Sequence, residues 1–87
     1  MSNITILTNG KPHEPSDAAV RLFSAICSDF SYSAYLDTVD GIDTVMRDAL
    51  WNIRQYGTVC SEWLSLDDLK PGDDRWIEQA LRNRIDD

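Results

Sequence analysis

Apolar residues recur along most of this chain at a helical period, and the exceptions lie near its start. Ala19, Leu22, Phe23, Ile26, Cys27 and Phe30 fall at i, i+3, i+4, i+7, i+8 and i+11. Asp17, Arg21, Ser24 and Ser28 form the opposite face at the same period. The pattern predicts an amphipathic helix from about Pro15 or Ser16 to Phe30, with Ser16 or Asp17 capping its free amides. It also places Cys27 in the core.

A second stripe of Ile42, Val45, Met46, Ala49, Leu50 and Ile53 predicts a central helix over about 41–56. Asp40 is a suitable N-cap, Asp43 lies favourably near the positive helix end, and Gly57 supplies the left-handed stop. Trp76, Ile77, Ala80, Leu81 and Ile85 predict a last helix from Asp73 or Asp74 to about Ile85, after the break at Lys70-Pro71-Gly72. Ser65-Leu66-Asp67-Asp68 has the form of a capping box and predicts one short turn at 66–69. Residues 31–39 fit either a short helix or a packed loop around Tyr32, Tyr35 and Leu36.

Before the first helix the period changes. Residues 3–8 are rich in β-branched side chains, and Asn9-Gly10 is a tight-turn signal. Pro12 and Pro15 argue against a return strand directly after that turn. The first strand is therefore expected to pair with distant residues, with Thr58 to Leu64 as the leading candidate, or with another chain. A helical turn is the alternative for 58–64. The expected fold class is mainly α: a single domain over 1–87 with three to four helices, a short N-terminal strand and at most a two-stranded β element (α+β).

With 87 residues and an apolar fraction of 43%, the chain builds one small core, and nearly every large apolar residue is needed in it. No run approaches the roughly 18 uncharged apolar residues that span a bilayer. The first residues lack the basic and apolar segments of a secretory signal, so a cytoplasmic protein without membrane contact is expected. Asn3-Ile4-Thr5 is then a chance glycosylation sequon. Cys27 and Cys60 stand in no metal-ligand spacing and read as small buried hydrophobes.

Charge changes the picture most. Fifteen acids against eight Lys and Arg leave a net charge of −7. Residues 57–87 hold eight of those acids (Glu62, Asp67, Asp68, Asp73, Asp74, Glu78, Asp86, Asp87) against four bases. This field repels phosphate backbones and attracts basic surfaces, though solubility alone also explains it. A helix-turn-helix reading of 48–66 fails on charge sign, since its second helix carries Glu62, Asp67 and Asp68 and no base.

Catalytic and metal signals are weak. The only histidine, His13, sits between prolines, and neither thiol reads as accessible to it. Asp67, Asp68, Asp73, Asp74 and Glu78 do not follow the order of a calcium loop, and they read as solvated caps. No cofactor or metal is expected.

Trp51 points about 180° from the apolar stripe of its helix, among Thr44, Arg47, Asp48, Arg54 and Gln55. Either another segment covers it, or with Arg47 and Arg54 it forms a binding hot spot. The favoured functional reading is a small acidic protein-binding module and not an enzyme. It would be an inhibitor or regulator occupying a basic, nucleic-acid-binding surface of its target, as in a phage or mobile-element anti-defence protein. The expected partner residues are Trp51, Arg47, Arg54, Glu62, Asp67, Asp68, Asp73, Asp74 and Glu78. The alternatives are a homodimeric structural or assembly protein and, last, a small enzyme.

Overall fold

The computed structural model describes residues 6–86. The sequon at 3–5 and the first part of the expected strand lie outside them. The described chain runs β1 (Leu7–Thr8), β2 (Lys11–Pro12), α1 (Asp17–Ser28), α2 (Phe30–Ser33), α3 (Val39–Tyr56), β3 (Thr58–Val59), β4 (Glu62–Trp63), a 3-10 turn (Leu66–Asp68) and α4 (Asp73–Asp86). It is a mainly helical fold with two small antiparallel sheets, β1-β2 and β3-β4.

α1 begins where Ser16 accepts a hydrogen bond from the Ala19 amide. It stops two residues short of the expected end, because extended Asp29 caps the next helix by accepting from the Tyr32 amide. Phe30 therefore leaves the α1 stripe and is 94% exposed instead of buried. α3 starts slightly earlier than the pattern indicates. Thr38, not Asp40, is its N-cap, and its side chain accepts from the Gly41 amide. Left-handed Gly57 ends it, as the sequence predicts. The Ser65–Asp68 capping box is formed.

The strand pairing differs from expectation. β1 pairs with its own neighbour β2, Leu7 opposite Pro12 and Thr8 opposite Lys11. In a two-residue hairpin the pair flanking the turn is the hydrogen-bonded one, so the next pair, which contains Pro12, needs no amide from it. The ladder resumes with the His13 amide donating to the Ile6 carbonyl at 2.7 Å. The 58–64 segment folds back on itself as β3-β4, with Thr58 opposite Trp63 and Val59 opposite Glu62.

Leu22, Ile26, Ile42, Val45, Ile77 and Leu81 are fully buried and join α1, α3 and α4 in one core. Val59 and Leu64 close it from the second hairpin. Phe23 and Trp76 pack edge to face at 5.8 Å on its margin. Leu50, expected on the apolar stripe of α3, and Cys27, expected in the core, are only partly buried; Cys27 packs against the core's margin. No described helix is long and apolar enough to cross a membrane.

Candidate functional site

Two groups of side chains stand out: one polar and buried, the other aromatic and exposed. Asp73, the first residue of α4, is fully buried. Its Oδ2 accepts from the Ser16 hydroxyl at 2.6 Å and the Lys70 amide at 2.7 Å. Its Oδ1 accepts from His13 Nε2 at 2.7 Å and the Ser16 amide at 3.3 Å. Burial pushes this carboxyl up, but the hydrogen bonds, led by that of Ser16, outweigh it and hold it below the usual carboxylate range.

The His13 side chain is 4% exposed, and its Nδ1 meets Thr8 Oγ1 at 2.8 Å. A neutral ring accepts there from the threonine hydroxyl, and a protonated ring donates to it, so both states are satisfied. The close fit depends on Gly72, whose φ is +96°. A Cβ at that position would stand 2.9 Å from Thr8 Oγ1 and 3.0 Å from His13 Nδ1. The cluster fastens the first hairpin and the start of α1 to the start of α4. Asp73 was expected to be solvated and to face a partner; four donors draw it inside instead, where no partner touches it. Nothing local in the sequence marks His13 for this role, because its partner is 60 residues away.

The aromatic group lies on the outer side of α3 and on the hairpin that follows. Trp51 is 49% exposed and touches Tyr56 edge to face at 5.7 Å, and Trp63 on β4 is 76% exposed. Sequence reasoning found Trp51 but missed Tyr56 and Trp63. A hairpin alternates its faces: Val59 points inward and Trp63, opposite Thr58, is left outside. Had 58–64 been read as a hairpin, that alternation would have exposed Trp63 to view.

The remaining expected partner residues are dispersed. Arg47 pairs with Asp43 one helical turn away, Glu78 with Arg82 at 2.8 Å, and Glu62 with Arg21 at 3.8 Å. Asp67 and Asp68 are exposed on the 3-10 turn, and Asp74 is exposed in the first turn of α4. Arg54 is exposed in the last turn of α3 and has no ion-pair partner among the described residues.

A second polar group surrounds Cys60. The Tyr32 hydroxyl donates to Asp48, which also accepts from the Asn52 side-chain amide. Burial, reinforced by Asp29, pushes the Cys60 thiol up to about 12, the opposite of what an activated thiol requires. Among the described residues no three His, Cys, Asp or Glu side chains gather as metal ligands do. Comparison with known protein families, with curated proteins and with solved structures finds no match for this chain.

Proposed function

We propose that this protein is a binding module for a basic protein partner and acts as an inhibitor or regulator by covering that partner's cationic, nucleic-acid-binding surface. One observation carries the reading: the core is complete while Trp51, Tyr56 and Trp63 stay exposed. A domain this small has few large apolar side chains to spare, and aromatic residues dominate the energetics of protein interfaces. The net charge of −7 selects the class of partner. Exposed aromatic faces add to it, because Lys and Arg side chains stack on them. Exposed Asp67, Asp68 and Asp74 supply the attraction that steers encounter.

The test is affinity capture from the native host with the wild-type chain, Trp51→Ala, Trp63→Ala and a variant reversing Asp67, Asp68 and Asp74. The wild type retains a specific basic protein and releases it as salt rises. The tryptophan variants lose that protein while their melting temperatures stay within a few degrees of wild type. Retention by every variant alike would defeat the proposal. So would a sizing column showing a salt-insensitive dimer of the chain alone, which favours the assembly reading.

A further inference from the structure

On the side of α1 away from the core, a groove of about 560 Å³ runs between that helix and the tip of the β3-β4 hairpin. Its floor is built from small residues, Ser24, Ala25 and Ser28, which allow another helix to approach closely. Val20 lines it on α1, and Phe30, the most exposed large hydrophobic of the described chain, gives it an apolar lip. Asp29 and Glu62 add carboxylates to its edge, and Arg21 offsets Glu62 only across 3.8 Å between partly exposed groups.

The opposite wall is the tip of the second hairpin. Cys60 and Ser61 form the two-residue turn of the hairpin with φ of +53° and +67°. Such turns strongly favour Asn-Gly, as at Asn9-Gly10, where φ is +54° and +77°. Two residues other than glycine held left-handed store strain. Both residues line the groove wall.

We infer that this groove seats an amphipathic helix of a partner protein, with the helix's apolar ridge against Val20 and Phe30 and its lysines or arginines at Asp29 and Glu62. Charge complementarity decides the occupant: Asp29 and Glu62 outnumber Arg21 along the groove, and a second copy would add another −7 to a chain of the same charge, whereas a basic helix offsets both. An added strand is a poor fit, since β3 and β4 offer only two residues each. The inference goes beyond the exposed aromatic face by adding a second surface, and it rests on the protein-binding reading.

The probe is a synthetic leucine–lysine peptide of about 18 residues, or about five helical turns, with a leucine–glutamate counterpart as control. Binding to the full chain is followed by fluorescence anisotropy and by amide chemical shifts. The lysine peptide binds, the glutamate peptide does not, and shifts concentrate at Val20, Ser24, Phe30 and Ser61. Ser24→Arg and Phe30→Ser, both at exposed positions, each weaken binding at least about tenfold, the loss of one good interface contact. Tyr35→Ala, at an exposed position outside the groove, leaves it unchanged. Binding that survives both groove variants but disappears in Trp63→Ala overturns the groove and leaves the wider reading standing. Equal binding of the two peptides, binding of neither, or self-association blocked by Ser24→Arg overturns it as well. Failure of the wider reading shows separately, as loss of the salt-released basic protein in the capture experiment.

Discussion

Asp73 answers to more constraints than any other side chain in the fold. It is a buried charge with four donors from three chain positions, and removing one side of such an arrangement leaves the others unpaired. Asp73→Ala should lower stability by about 3–5 kcal/mol in denaturant titrations. Acid should weaken the fold through the same residue. Its folded pKa lies below its unfolded value, so its contribution is fully present above about pH 4 and fades as pH falls through the folded pKa. An acid titration of the wild type that matches one of Asp73→Asn would show that the carboxylate contributes nothing. The cysteines give a second residue-level prediction. Burial raises both thiols, with Arg84 partly opposing it at Cys27. At pH 7.5 both should label much more slowly in the native protein than after unfolding, as mass spectrometry would show.

At the scale of elements, periodic signals were legible and special backbone conformations only partly so. The α1, α3 and α4 stripes are readable because an amphipathic helix repeats its message over three or more turns. Asn9-Gly10 is readable because both residues favour a left-handed backbone, yet its return strand was discounted, since Pro12 was weighed as if it lay inside a sheet. Cys60-Ser61 was not legible at all: neither residue type announces positive φ, and the turn is framed by Val59 and Leu64, which pack into a core assembled from distant helices. Ser61→Gly should relieve that strain and raise stability by about 1 kcal/mol. No gain in thermal unfolding would mean that Ser61 makes a compensating contact.

For the whole molecule, charge was legible in amount but not in placement. Asp73 and Asp74 are adjacent in sequence, yet one is buried and the other exposed, because only the first points back toward His13 and Ser16. Reversing Asp67, Asp68 and Asp74 should slow association with a basic partner and flatten its salt dependence, leaving dissociation nearly unchanged in stopped-flow measurements. The polar cluster also bears on how fast the chain folds and how long it stays folded. Its bonds from Asp73 to Ser16 and His13 close loops of 57 and 60 residues, a large entropic step for contacts that are worthless until every donor is in place. They are therefore expected to form after the transition state, once the helices have packed. Asp73→Ala should leave the refolding arm of the chevron almost untouched and steepen loss from the native side, raising the unfolding rate by about a hundredfold or more. The latch then sets the lifetime of the native state and not the speed of reaching it.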